Sequence, residues 1–154
     1  MEAGDVITLL KLLEEEKIGV VVDGGWGVDA LLGRQSRPHE DLDIAIEHKD
    51  VPKLRKPFEG KGYKEVPQPE SSDFNFVLGN TLGQKVDVHS YTFDAYAKNV
   101  YGISYPAESL TGAGSIEGHA VRCISALNIF QIDFVRFVLR VESHNPFSSA
   151  RSSV

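Results

Sequence analysis

Three aspartates are spaced so that the chain can bring their side chains together. Asp41 and Asp43 lie two residues apart in the alternating segment 41–46, which predicts a β-strand. Because side chains alternate between the two faces of a strand, both carboxylates leave the same face. Asp87 lies between two valines of a later predicted strand and faces opposite to them. If the two strands are neighbours, Asp87 joins the pair.

Such a cluster has a definite chemistry. Two carboxylates a few ångströms apart repel each other unless a cation lies between them. Mg²⁺ prefers oxygen ligands and typically takes one or two carboxylates together with substrate phosphates. Three carboxylates could hold two metal ions, or hold one and leave Asp87 as a general base. A solvated strand face is the alternative explanation for the Asp41 and Asp43 pair taken alone.

A glycine turn precedes the aspartates. It has the sequence Asp23-Gly24-Gly25-Trp26-Gly27, follows a short apolar segment and opens a predicted helix. Glycines let the backbone approach a phosphate, and a helix N-terminus offers free N–H groups. The turn matches neither the P-loop nor the dinucleotide-binding pattern. Two explanations of the turn stay open: phosphate binding by Gly24 and Gly25, and a purely structural role.

Basic and imidazole side chains lie between the turn and the aspartates. Arg34, Arg37 and His39 occupy this segment, and an arginine there could clamp the phosphates of a triphosphate. A solvated loop is the alternative. His39 and His89 could instead complete a Zn²⁺ site with the aspartates, although no spacing here matches a zinc signature. Cys123 is predicted to be a small buried residue.

The composition limits the class of protein. The chain has 154 residues, of which 42% are hydrophobic and 25% charged, as in one ordinary globular domain. Its formal net charge of -6 argues against a nucleic-acid partner. A single cysteine and an N-terminus without the charge pattern of a signal peptide predict a cytoplasmic location. No apolar run approaches the roughly 20 residues of a membrane span.

The elements that position these residues follow from periodicity and turn residues. The predicted segments are a helix over 5–17, a strand over 18–22, a helix from near Trp26 to Gly33, a strand over 41–46, a helix from Asp50 to near Gly60 or Gly62, a hairpin of 74–78 with 85–91, and a hairpin over 115–125 that turns near Gly118. A loop is expected from Thr92 to Gly114. This order predicts an α+β domain with a mixed, mostly antiparallel sheet and helices packed on one side.

The domain boundaries are predicted from the same pattern. Residues 1–142 are expected to form a single domain, and the serine-rich segment 143–154 a flexible tail. The apolar block 127–141 has helical spacing. Its surplus of phenylalanines fits either a core helix or the face of a homodimer.

The motifs together resemble the antibiotic branch of the nucleotidyltransferase superfamily, in particular the lincosamide and 2''-aminoglycoside nucleotidyltransferases. The resemblance is carried by GGWGVDALLGR at 24–34, by RPHEDLDI at 37–44 and by KVDVH at 85–89, and it covers about residues 5–125. After Ser125 the sequence departs from the family's pattern.

The resemblance implies an α+β fold and an activity. It implies Mg²⁺, one ion or two, on Asp41 and Asp43, with Asp87 as a third ligand, a base, or both. Gly24 and Gly25 would cradle ATP or another nucleoside triphosphate, with Arg37 and His39 nearby. The expected reaction is transfer of a nucleoside monophosphate to a hydroxyl of a small molecule such as an antibiotic.

Other functions of the same fold stay open at this stage. One is a nucleotide-binding protein that transfers nothing. Another modifies a protein, as in toxin–antitoxin pairs. A third is a metal-dependent hydrolase that uses the same carboxylates.

Overall fold

The structure, a computed structural model, describes residues 1–126. The described part of the chain contains three α-helices and eight strands. The helices are α1 (Ala3–Glu15), α2 (Gly24–Leu32) and α3 (Val51–Gly60), and the strands are β1 (Val20–Val22), β2 (Asp41–Glu47), β3 (Lys64–Val66), β4 (Asn75–Gly79), β5 (Lys85–Phe93), β6 (Asn99–Gly102), β7 (Gly112–Ile116) and β8 (His119–Cys123). No helix in this part of the chain is long and apolar enough to cross a membrane.

The eight strands form one mixed sheet. Its order is β3-β4-β5-β2-β1-β8-β7, and β6 pairs with β5 outside this path. The pairs β2–β5 and β1–β8 are parallel, whereas the other neighbouring strands run antiparallel. The predicted α+β class with a mostly antiparallel sheet is therefore confirmed.

The main hydrophobic core lies between the three helices and one face of the sheet. Leu42, Ile44 and Ile46 of β2 are fully buried in it, together with Val86 and Val88 of β5. Apolar residues of α1, α2 and α3 belong to the same cluster. The helices thus pack on one side, as predicted, and the period of two along β2 and β5 sends the aspartates to the opposite face.

That opposite face carries a smaller apolar cluster away from the aspartates. Its buried members are Val21, Ala45, Tyr91, Tyr105, Leu110 and Ile124. Ala45 and Tyr91 follow the aspartates along the same strand faces, so the polar site gives way to apolar packing within one strand length. The three aspartates consequently lie toward one end of these two strands.

Local sequence signals account for the ends of α2. Asp23 is the N-cap, and its carboxylate accepts a hydrogen bond from the amide of Gly24. Gly33 ends the helix in the left-handed conformation with φ of 65°, which confirms the predicted stop. The helix begins at Gly24, two residues earlier than expected, so both glycines lie within its first turn.

Two strands were not predicted. The expected loop from Thr92 to Gly114 is wrong in part, because it contains β6, a short 3₁₀ turn over Ala107–Leu110, and the start of β7. The strand β3 was also missed. Both β3 and β6 are short edge strands that depend on pairing with a neighbour, so local periodicity carries little signal for them. The predicted helical block 127–141 and the tail 143–154 lie outside the described residues.

Candidate active site

The parallel pairing of β2 with β5 brings the acidic side chains together. Asp43 and Asp87 are direct partners in this register, and Asp41 pairs with Lys85. One carboxylate oxygen of Asp43, one of Asp87 and a ring nitrogen of His89 all lie within 4.8 Å of one another. Asp41 is outside this tight group but lies on the same face of β2 and lines the same cavity.

A cavity of about 740 Å³ opens over these groups. The glycine turn forms one wall, through Gly24 and Gly25, and the segment 36–40 forms another. The three aspartates line it as well. We call this space the glycine-turn cavity. Its volume suits a small-molecule ligand.

The carboxylates repel one another and are partly desolvated. Burial, followed by the charge of Asp41, raises the pKa of Asp43 to about 6. The Oδ1 atom of Asp87 is buried and has no hydrogen-bond partner among the described residues. A buried carboxylate oxygen without a hydrogen bond costs free energy that a bound cation would recover.

His89 lies between the carboxylates of Asp87 and Asp23. Its Nε2 atom lies 3.5 Å from Asp87 Oδ1, a distance for an ion pair rather than a short hydrogen bond. Burial alone would lower the pKa of His89, but the neighbouring carboxylates of Asp87, Asp23 and Asp43 outweigh burial and raise it. The acidic surroundings therefore favour the protonated form of His89, which would offset part of their charge.

The glycines of the turn have no space for a side chain. Gly24 has φ of +57°, and a Cβ atom there would lie 2.0 Å from Asp43 Oδ2. A Cβ atom on Gly25 would lie 2.3 Å from Nδ1 of His39. The first turn of α2 thus contacts the acidic cluster, through Asp43, on one side and His39 on the other.

His39 is anchored below the turn. Its Nε2 atom is 2.5 Å from Oδ2 of Asp29, and both side chains are almost fully buried. The ring also packs against Trp26, with ring centroids 4.9 Å apart. Burial would raise the pKa of Asp29, but hydrogen bonds from Ser36 and His39 lower it overall. His39 thus supports the glycine turn, and only part of its ring faces the cavity.

Tyr105 completes a buried network that the sequence analysis missed. Its hydroxyl donates to Asp23 Oδ2 at 2.7 Å and lies 3.4 Å from Nδ1 of His89. Asp23 in turn caps α2 through the amide of Gly24. Tyr105 lies in the segment predicted to be a loop, where no periodicity identifies a contact with a residue 82 positions away.

Comparison with known proteins decides the family. The model of the aminoglycoside-2''-adenylyltransferase family matches residues 5–136, which is most of the chain. The chain belongs to this family. The resemblance to antibiotic nucleotidyltransferases seen in the sequence is thereby confirmed.

Individual relatives agree with this membership. A lincosamide resistance protein from Staphylococcus haemolyticus is 40% identical over 60 residues, a stretch that spans 39% of this chain and 37% of that protein. Lincosamide adenylyltransferase LnuA, solved with lincomycin bound, is 22% identical with a TM-score of 0.69 over 94% of this chain and 87% of its own. ANT(2'')-Ia, solved with adenylyl-2''-tobramycin, is 24% identical with a TM-score of 0.76 over 94% and 80%. These two structures show the shared fold.

The residues that the sequence analysis singled out do not all line the same cavity. Asp41, Asp43, Asp87, Gly24 and Gly25 line the glycine-turn cavity, as do Arg37 and His39 at its other wall. Arg34 lines a separate small cavity beside Ser115 instead. Cys123 is fully buried, in agreement with the sequence. The zinc alternative that combined both histidines loses support, because His39 is paired with Asp29.

Proposed function

We propose that this protein is a Mg²⁺-dependent adenylyltransferase that transfers AMP from ATP to a hydroxyl of a lincosamide or aminoglycoside antibiotic. The observation that carries the proposal is the pairing of Asp43 with Asp87 on the open face of the sheet, in contact with the first turn of α2. Family membership supports the adenylyl group as the one transferred.

The donor set fits a hard divalent cation. Asp41, Asp43 and Asp87 offer carboxylate oxygens, and one oxygen of Asp87 lies within the tight group with Asp43 and His89. Mg²⁺ bound there would neutralise the negative charge that builds up on the triphosphate during attack at the α-phosphorus. Burial and then the charge of Asp41 raise the pKa of Asp43 to about 6, and a bound cation would favour its ionised form.

The chain's own groups bind and orient the nucleotide. Gly24 and Gly25 line the cavity at the N-terminus of α2. Because the amide of Gly24 donates to Asp23, the amide of Gly25 is the one proposed to bind the β- and γ-phosphates. Arg37 is exposed at the cavity wall, where its guanidinium can pair with the same phosphates. His39 contacts the glycine turn at Gly25 and so helps to position these donors.

Asp87 is the proposed general base. It accepts the proton of the acceptor hydroxyl as the acceptor oxygen forms its bond to the α-phosphorus. The bond between that phosphorus and the bridging oxygen breaks, and pyrophosphate leaves with the electron pair. His89 Nε2 lies 3.5 Å from Asp87 Oδ1, where a protonated imidazole would offset the charge of this carboxylate.

The test compares Asp87→Asn with Asp94→Asn. Removal of a general base predicts a loss of about 100-fold or more in kcat, with the affinity for ATP retained. Asp94 is an exposed aspartate of the β5–β6 turn, and its Oδ1 atom accepts from two backbone amides, a role that asparagine keeps. Its variant is expected to keep wild-type turnover.

The readouts are pyrophosphate release with ATP, Mg²⁺ and a panel of lincosamides and aminoglycosides, and calorimetric titration with a non-hydrolysable ATP analogue. Pyrophosphate release that requires no antibiotic would indicate a hydrolase. Nucleotide binding without transfer to any hydroxyl of the panel would contradict the proposal. Replacement of Mg²⁺ by Zn²⁺ in the same assay tests the choice of metal.

A further inference from the structure

One buried carboxylate connects the two walls of the glycine-turn cavity. Asp29 lies on α2, is 2% exposed, and has a hydrogen-bond partner at each of its oxygens. Ser36 Oγ donates to Oδ1 at 2.5 Å, and Nε2 of His39 lies 2.5 Å from Oδ2. An ionised carboxylate can only accept, so Nε2 is the donor of the second bond. We call Asp29, Ser36 and His39 the Asp29 clamp.

The carboxylate of the clamp acts on the site through other residues. Burial would raise the pKa of Asp29, but the hydrogen bonds from Ser36 and His39 lower it overall, so the group is ionised at neutral pH. Asp29 lines the small cavity beside Ser115 and not the glycine-turn cavity. A ligand in the glycine-turn cavity therefore meets the residues that Asp29 holds and not Asp29 itself.

The helical period places the clamp next to the glycine turn. Gly25 and Asp29 are four residues apart in α2, so they lie on the same face of the helix, about one turn apart. Groups held by Asp29 therefore lie beside Gly25. A Cβ atom on Gly25 would be 2.3 Å from Nδ1 of His39 and 3.2 Å from Nη2 of Arg37.

Arg37 lies between the two residues that the clamp holds. Ser36 and His39 are three positions apart in the sequence, and both are hydrogen-bonded to the same carboxylate. The guanidinium of Arg37 makes a long hydrogen bond, at 3.4 Å, to the carbonyl of Pro38. Within residues 1–126 no carboxylate forms an ion pair with it. Its charge is therefore available to an anion.

The clamp matters because this segment has little other support. Ser36, Arg37 and Pro38 are exposed, so packing in the core does not fix them. Ordering a loop and a long side chain when a ligand binds costs conformational entropy. Hydrogen bonds at both ends of the segment restrict its backbone before the ligand arrives, and this lowers the cost.

We propose that Asp29 is a positioning residue for nucleotide binding. Through Ser36 and His39, it holds the segment 36–39 against α2. The guanidinium of Arg37 is thereby placed next to Gly25. The inference rests on the proposed function, which assigns the β- and γ-phosphates to the amide of Gly25, so that amide and guanidinium bind the same phosphates.

The experiment is calorimetric titration of a non-hydrolysable ATP analogue with Mg²⁺ and without antibiotic. Asp29→Ala is expected to weaken binding about tenfold, as loss of a group that orients ligand-binding residues does. Ser36→Ala should weaken binding about threefold, half of that effect in free energy, because the bond to His39 remains. Ser36→Thr keeps the hydroxyl at an exposed position and should restore the wild-type affinity.

A double-mutant cycle tests whether the clamp acts through Arg37. In protein that already carries Arg37→Ala, Asp29→Ala and Ser36→Ala are expected to have no further effect on affinity, because the side chain that they place is absent. A purely structural loss of stability would weaken binding equally in both backgrounds. Thr8→Ala is the matched control, since Thr8 is an exposed residue of α1 whose hydroxyl also donates to an oxygen, the carbonyl of Gly4. It should leave the affinity unchanged.

The outcomes separate this inference from the reaction. Unchanged affinity in Asp29→Ala, full loss in the Arg37→Ala background, or no binding of the analogue to the wild-type protein overturns the inference. Binding that depends on Asp29 through Arg37, without pyrophosphate release from ATP and any antibiotic, supports the inference and contradicts the adenylyltransferase. Should Asp29→Ala fail to fold, the exposed Ser36→Ala and its Ser36→Thr counterpart decide by the same criteria.

Discussion

Gly24 lies so close to Asp43 that a Cβ atom on the glycine would be 2.0 Å from the carboxylate oxygen Oδ2. The contact joins the start of α2 to the middle of the acidic cluster. It is the point where the glycine turn meets the carboxylate cluster. Gly24 also has a φ of +57°. Both the close contact and the left-handed backbone therefore restrict this position to glycine.

We expect Gly24→Ala to disrupt both stability and activity. The left-handed backbone costs about 1–2 kcal/mol for a residue with a side chain, and the new methyl group displaces Asp43. A displacement of about 1 Å at a reacting centre predicts a loss of about 100-fold in turnover. Urea unfolding and pyrophosphate release measure the two effects.

The control for this substitution is Gly60→Ala. Gly60 ends α3 and has no heavy atom within 4 Å of a Cβ position. It should keep wild-type activity. Wild-type turnover in Gly24→Ala would show that the contact with Asp43 has no functional role.

Asp43→Asn is expected to stabilise the fold while it abolishes turnover. The folded-state pKa of Asp43, about 6, lies above its ordinary value of 3.8. Folding therefore favours the protonated form, and the ionised form carries a cost of up to about 3 kcal/mol. Asparagine removes that charge, so the free energy of unfolding should rise by about 1–3 kcal/mol at pH 7–8.

The pH dependence of that gain follows from its sign. Above the folded pKa both the folded and the unfolded wild-type protein are ionised at Asp43, and the gain is at its full size. As pH falls through the interval between about 6 and 3.8, the folded wild type takes up a proton and the gain shrinks. Urea unfolding of both proteins without Mg²⁺ from pH 4 to 8 measures it. A gain that is constant with pH would contradict the assigned repulsion.

Tyr105→Phe should weaken the capping of α2. Loss of the hydroxyl leaves Asp23 Oδ2, a buried acceptor, without its 2.7 Å partner. The expected cost is about 1–3 kcal/mol in the free energy of unfolding. We also expect a loss of about tenfold in kcat/KM for ATP, because Tyr105 acts on the site through Asp23.

Tyr101→Phe is the matched control for Tyr105. The Tyr101 hydroxyl also donates to a carboxylate, Oδ2 of Asp73 at 2.6 Å, but on an exposed surface. Water replaces that bond, so its loss should cost less than about 1 kcal/mol. Equal effects of the two substitutions would mean that burial of the Asp23 contact is unimportant.

Much of the fold could be predicted because its signals are local. The alternation along Asp41–Glu47 assigned one face of the strand to the core and the other to carboxylates, and Gly33 marked the end of α2. The short edge strands β3 and β6 gave no such signal, since their pairing partners alone define them. The catalytic and binding roles given to the site residues stay predictions that the variants above test.

Sequence by itself determined which side chains face away from the core, because the period of a strand is a property of neighbouring residues. It also carried the motifs that mark the family. Only the tertiary structure decided that β2 and β5 are parallel neighbours, which sets Asp43 opposite Asp87, and that Tyr105 reaches Asp23. The choice of neighbour depends on packing of the whole chain, and no local pattern encodes it.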